Sequence, residues 1–196
     1  STAFIEAGVA AGLKRTDDFN GASQEGIGLY QVTCKKGRRW SVADAYIHPA
    51  EDRPNLTVLT EAFVTRIVLE GTRAVGVAYT RGGESFVVRA DAEVVLSGGA
   101  VNSPQLLMLS GIGPGAHLRE MGIDVAVESS GVGQNLQDHP VSGILSYTKD
   151  TTDVAEMLGL GNLVKWRATG KGPLGSNVAE TGAFYTSRDD LDVPDI

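Results

Sequence analysis

The stretch Gly131-Val-Gly-Gln-Asn-Leu-Gln-Asp-His-Pro140 sets an amide, a carboxylate and an imidazole close together at Asn135, Asp138 and His139. A metal centre needs ligands that converge from separated positions. Here Asp138 and His139 are adjacent and have no partner cluster. A Ser/His/Asp hydrolytic site needs a nucleophile elbow, which the chain lacks. What remains is loop chemistry, in which Asn135 and Asp138 use their side chains to satisfy backbone groups and His139 is structural. A second candidate is Ser97-Gly-Gly-Ala100, at the end of the apolar run Glu93-Val-Val-Leu-Ser97. Ligands of parallel sheets bind outside the carboxyl ends of the strands, and Gly98 and Gly99 there would let backbone approach a flat molecule closely. The same glycines also suit a tight strand-to-helix turn with no ligand. His48, His117 and the single cysteine, Cys34, offer no constellation, and one thiol rules out an intrachain disulfide and a cysteine-based metal cluster.

The elements that must position these groups change along the chain. Residues 1–13 read as a short amphipathic helix, with Phe4, Ile5, Val9 and Leu13 at helical spacing and Gly8 and Gly12 as weak points or a stop. The following forty or so residues read as loop, since glycines between Asn20 and Gly37 recur too closely for a regular element. A helix begun near Ser41 should end at His48. From about 56 to 96 the pattern turns extended, predicting strands at Leu56–Thr60, Ala62–Leu69, Ala74–Tyr79, Ser85–Ala90 and Glu93–Ser97. The loops Glu70–Arg73 and Thr80–Glu84 are of hairpin length, so the middle three strands form an antiparallel meander. Val94-Val-Leu96 does not alternate, which predicts a strand covered on both faces in a parallel sheet. Ser103 then caps and Pro104 opens a helix through Leu109, which Gly111 stops. A short helix follows Pro114 and carries an exposed His117. Val154–Trp166 predicts a further helix whose apolar residues, Met157 to Trp166, face a core. Ser176 and Asn177 cap the turn after Gly175.

Composition narrows the function classes. A net charge of −7 argues against general nucleic-acid binding. Lys35, Lys36, Arg38 and Arg39, around Gly37, read as a solvated loop rather than a phosphate groove. No segment approaches the ~20 apolar residues of a membrane span and no leader pattern is visible. The expectation is a cytoplasmic location, with peripheral membrane association left open.

Taken in order, these motifs resemble the middle of a glucose-methanol-choline (GMC) oxidoreductase. The resemblance rests on Gly99-Ala-Val-Asn-Ser-Pro-Gln-Leu-Leu-Met-Leu-Ser-Gly-Ile-Gly113, on Gly131–Pro140, on Gly37-Arg-Arg-Trp-Ser-Val-Ala-Asp-Ala-Tyr46 upstream, and on Gly172-Pro-Leu-Gly-Ser-Asn-Val-Ala-Glu-Thr-Gly-Ala-Phe184 downstream. It is nearest the choline and alcohol dehydrogenase branch. It implies a mixed α/β fold: part of an FAD-binding Rossmann-like domain with an antiparallel β-meander over 1–139, then the beginning of a substrate-binding domain over 140–196.

The resemblance also implies roles. The backbone at Val64 would pair with the adenine edge of FAD. Ser97, Gly98, Gly99, Asn135 and Asp138 would surround the flavin, and Glu180 would face the substrate cavity, where a carboxylate can pair with a quaternary ammonium. Simple core packing of Val64 and a structural role for Glu180 remain alternatives. The implied reaction is oxidation of a primary alcohol by hydride transfer to flavin, with a histidine base C-terminal to this chain and no catalytic residue within it. The G-x-G-x-x-G turn that receives the pyrophosphate is absent. The chain therefore reads as an internal fragment that needs other segments of the same enzyme, or self-association, to act. The rival reading is a non-catalytic or split-subunit piece.

Overall fold

In chain order, the computed structural model, which describes residues 1–144 and 159–196, runs α1 (Thr2–Ala10), β1 (Gly26–Leu29), β2 (Cys34–Lys35), β3 (Arg38–Arg39), β4 (Phe63–Glu70), β5 (Arg73–Arg81), β6 (Glu84–Arg89), α2 (Gly99–Leu109), β7 (Ile112–Gly113), α3 (Gly115–Glu120), β8 (Val127–Glu128), α4 (Leu160–Thr169) and β9 (Thr181–Phe184). The described residues of Ser1–Leu56 and Ser146–Ile196 form one unit, and those of Thr57–Leu145 a second.

In the first unit, β1 and β9 pair antiparallel, from Gly26 opposite Phe184 to Leu29 opposite Thr181. Helix α1 lies on β1. Ile5 and Ile27 are buried between them, and a Cβ on Gly8 would run into the Ile27 side chain. Gly8 is thus the point of close approach rather than a helix stop, and the stop comes at Gly12, with φ +102°. Phe19 is buried between Tyr30 and Phe184, with ring centroids 5.4 and 5.1 Å away. Full burial of each such side chain contributes about 1.5–3 kcal/mol. The region expected to be loop therefore holds β1 and the hairpin β2–β3. Pairing across more than 150 residues is invisible to a local glycine count. The turn of that hairpin is Lys36-Gly37, with φ +54° and +69°, the two left-handed residues of a type I′ connection.

Val42 to Ala50 is helical but tightens along its length, with a π-turn at Ala43–Ile47 followed by a 3-10 turn at His48–Ala50. Ser41 and Asp44 cap it reciprocally: Asp44 accepts from the Ser41 N–H (3.1 Å) and hydroxyl (2.6 Å), and Ser41 Oγ accepts from the Asp44 N–H (3.2 Å). The predicted helix over 154–166 begins outside the described residues, as do Met157 and Leu158. Its described part, α4, ends at the left-handed Gly170. Leu160, Leu163 and Val164 are exposed there, so within the described residues the expected core-facing stripe is not covered. Ser176 Oγ accepts from the Val178 N–H (2.9 Å), which closes the turn as expected.

In the second unit, β4, β5 and β6 form the predicted meander, each within two residues of its expected bounds. Ile67, Val75 and Ala78 are buried. The two flanking strands do not form. Leu56–Thr60 and Glu93–Ser97 are unpaired, and Val95 is 76% exposed instead of covered. A hairpin strand finds its partner in the next few residues, but a parallel strand depends on distant chain, and no described strand lies beside Val94–Leu96. Helix α2 starts at Gly99, not at Pro104. Ser103 caps from inside the helix, its Oγ accepting from the Gly98 N–H (3.0 Å), while Pro104 sits in the helix interior. After α2, β7 and β8 pair parallel around α3. The α3 side chain Leu118 is fully buried, and Glu128 accepts from the Gly115 N–H (3.0 and 3.1 Å) at the helix start. His117 is exposed, as expected.

Candidate functional site

The observation that organises the second unit is the free edge of β4. Ala78 turns its C=O toward β4, where Thr65 Oγ1 donates to it (3.2 Å), while Val75 turns its C=O toward the β6 side, where the Ala90 N–H donates to it (2.9 Å). Alternation along β5 then directs the polar groups of Tyr79 toward β6 as well. Val64, opposite Tyr79 and beside a β-bulge, accordingly turns its N–H and C=O outward from the sheet. Ile67 does the same, and its N–H donates to Ser110 Oγ (2.8 Å), which in turn donates to the Leu106 C=O (2.6 Å). This pair of bonds pins α2 along the edge.

Between that edge and α2 lies a slot of about 400 Å³. Val64, Ser97 and Gly98 line it together, with Leu96, Asn102 and Leu106. No described side chain that lines it is ionisable. Its chemistry is therefore that of a flat apolar binding slot with a main-chain donor and acceptor on one wall, within the size range of small-molecule pockets. It has no acid or base. Gly98 is not forced to be glycine by the chain itself, since an added Cβ would first meet Ser103 Oγ at 3.4 Å. Gly99, with φ +88°, is forced by its backbone.

The sequence candidates do not all meet. Asn135, in the left-handed region at φ +55°, lines a groove on α2 formed with Ala100, Ser103, Met108 and Gly133. Gln105 lines both this groove and the slot. Asp138 and Gly99 line neither; the Asp138 carboxylate accepts from the His139 N–H (2.8 Å), a local loop bond of the kind expected. Glu180 belongs to the first unit. Its carboxylate accepts from the Ser1 hydroxyl and lies in a recess with Phe4, Pro173, Ser176 and Thr181. Hydrogen bonds from Ser1 and then Ser176 hold it below the ordinary glutamate range, against a smaller opposing effect of burial. Sequence reasoning missed Ser110, whose role depends on a strand more than forty residues away. The described residues contain no group of three or more potential metal ligands, and no described helix is long and apolar enough to cross a membrane.

The family model of the GMC oxidoreductases matches residues 1–141. The chain belongs to the GMC oxidoreductase family. Among its GMC relatives, a protein of Sinorhizobium medicae named oxygen-dependent choline dehydrogenase is 58% identical over 137 residues, 70% of this chain and 25% of that protein. One of the same name from Brucella ovis is 45% identical over 198 residues, 99% of this chain and 36% of that protein. Of solved structures, a single-substitution variant of the formate oxidase of Aspergillus oryzae RIB40 superposes with a TM-score of 0.78 at 28% identity, covering 93% of this chain and 33% of the other. Pyridoxine 4-oxidase from Mesorbium loti gives 0.60 at 38% identity over 65% and 25%. The chain thus spans between a quarter and about a third of the length of these curated relatives. GMC oxidoreductases depend on FAD. The residues present fit one part of that group, because the slot at Val64 offers a planar heterocycle apolar walls and a main-chain donor and acceptor.

Proposed function

We propose that this chain is part of an FAD-dependent oxidoreductase that oxidises a primary alcohol, choline or a close analogue. The observation that carries this reading is the 45% identity to the Brucella ovis protein, which extends over 99% of the chain. FAD, when bound, supplies the hydride acceptor for the alcohol carbon. The residues of the chain do the holding. The outward N–H and C=O of Val64 read the adenine edge. The Ser97-Gly98-Gly99 turn keeps side chains away from the flavin ring. Asn135 and Asp138 fix the loop beside it. Residues 1–139 belong to the FAD-binding part, and 140–196 begin the substrate-binding part.

Glu180 is the substrate residue. Hydrogen bonds from Ser1 and Ser176 favour its charged form, so at neutral pH it presents a carboxylate suited to a quaternary ammonium. No described histidine lines the slot, and the proton acceptor is assigned outside these residues. By themselves the 196 residues neither hold FAD tightly nor turn over. Its single thiol suits a reducing, cytoplasmic setting.

The test is a chimera in which this chain replaces the matching segment of the Brucella ovis protein. Flavin absorbance and choline-dependent dye reduction are the expected outcomes. A chimera that folds and holds flavin yet oxidises no alcohol would reject the reading. In an active chimera, Glu180→Gln is expected to raise KM for choline about tenfold, the worth of one charge-assisted contact, and to leave KM for an uncharged alcohol unchanged.

A further inference from the structure

The chain is acidic, with 17 basic against 24 acidic side chains, but its cations are not evenly spread. Lys35, Lys36, Arg38 and Arg39 on the β2–β3 hairpin, and Arg167 and Lys171 at the end of α4, line one cleft of about 1020 Å³ in the first unit. The run that reads as a solvated loop in sequence is therefore one wall of a concave site. Among the described residues Asp44 is the one acidic side chain lining it, and its carboxylate is already engaged by Ser41. None of the six cations forms an ion pair with a described residue. The C-terminal carbonyls of α4 contribute about half a negative charge and Asp44 one more. An excess above four positive charges remains.

The cations are also held in place. The Lys36-Gly37 turn abuts the Gly170 cap of α4 so closely that a Cβ on either glycine would collide with the other segment's backbone carbonyl. Trp166 Nε1 donates to the Gly37 C=O (2.7 Å) across the same contact. Lys35 lies over the Trp40 ring at 4.2 Å, and Arg38 over the Trp166 ring at 5.5 Å. Cations gathered without counter-ions on locked backbone are preorganised for a multivalent anion, and arginine forks match phosphate oxygens. A concave site of this volume suits a compact ligand better than a flat charged surface.

We propose that this cleft binds a small molecule bearing a diphosphate or comparable multiply charged phosphate group.

Trp40 and Trp166 are the only tryptophans of the chain and both line the cleft, so intrinsic fluorescence reports on it directly. Titration of the 196-residue chain with inorganic pyrophosphate at low ionic strength is expected to give a saturable emission change, weakened about tenfold at physiological ionic strength as the charges are screened. The double variant Arg167→Ala with Lys171→Ala removes two exposed side chains that form no ion pair with a described residue. It is expected to weaken binding about tenfold with an unchanged circular dichroism spectrum. Lys14→Ala, a cation outside the cleft, is expected to leave binding unchanged. A non-saturable response, or equal loss in both variants, overturns the proposal. So does sedimentation of a dimer that pyrophosphate dissociates, since an acidic face of a second copy would then fill the cleft. Binding to phosphatidylglycerol vesicles without binding of pyrophosphate overturns it too, in favour of a membrane surface.

Discussion

The slot beside α2 and the cleft beside the β2–β3 hairpin solve recognition in opposite ways. Among the described residues the slot has no ionisable side chain and offers neutral polar contacts, the Val64 backbone among them, whereas the cleft gathers six cations around two indoles. Binding in the slot should depend little on salt, and binding in the cleft should depend on it strongly. The difference extends to the backbone. The slot places Gly98 where a side chain would meet only an ordinary contact, but the cleft packs Gly37 against Gly170 with no room for a methyl group.

The largest expected effect tests that last contrast. Gly37→Ala combines a left-handed φ of +69° with a Cβ inside the Gly170 carbonyl. It should cost about 3 kcal/mol in urea unfolding, from backbone strain and overpacking together. Gly98→Ala should fall within about 0.5 kcal/mol of the parent, the usual range away from such features, while lowering flavin retention in the Brucella ovis chimera. Equal costs at the two positions would erase the distinction between a glycine required by the chain and one reserved for a ligand.

Next comes Ser110→Ala, which leaves the Ile67 N–H without its partner, while the Leu106 C=O keeps its bond from the N–H of residue 110. A loss of about 1–3 kcal/mol is expected, together with weaker flavin binding, because α2 forms one wall of the slot. Below it lies a pair at Val64. Val64→Pro removes the outward N–H at an edge position where a strand accepts proline, and is expected to reduce flavin affinity about tenfold, the worth of one hydrogen bond. Val64→Ala retains the main-chain pair and is expected to hold flavin nearly as well. If alanine is as damaging as proline, recognition runs through the side chain and the slot is an ordinary apolar pocket.

How far each site could be read in the sequence follows the same divide. The meander was legible because its strands alternate and their partners lie across short glycine loops. Val64 could be placed on β4, but not on its free edge, which emerges only from the register with Tyr79 and the bulge. Ser97 and Gly98 were legible as a strand-end turn, though the strand before them is unpaired and α2 begins earlier than Pro104 suggests, because Ser103 caps from within. The basic run at 35–39 is exposed to solvent as its sequence suggests, but its place in a cleft was not legible. Its meaning depends on Arg167 and Lys171, more than 120 residues away, and on the β1–β9 pairing that no local pattern announces. Glu180 could be singled out by resemblance, but the hydroxyls that keep it charged come from Ser1 and Ser176, which carry no signature.

The smallest expected effect concerns Asp44, the single carboxylate of the cleft among the described residues. The Ser41 hydroxyl first, then the Ser41 N–H, hold its pKa below the ordinary 3.8, with His48 adding little. A carboxyl depressed in the folded state stabilises above its unfolded value, and that contribution disappears as pH falls through the lower folded value. The stability curves of the parent and of Asp44→Asn should therefore run apart by a constant margin above pH 3.8 and converge in stronger acid. Because hydrogen bonds dominate the shift, added salt should leave this margin almost intact. The same substitution removes the only acidic side chain lining the cleft among the described residues, so pyrophosphate should bind Asp44→Asn more tightly, and that gain should shrink with salt. A margin that fades with salt would mean that Asp44 acts mainly through charge. A pyrophosphate gain that survives salt would mean that the cleft recognises shape rather than charge, and its contrast with the slot would fail.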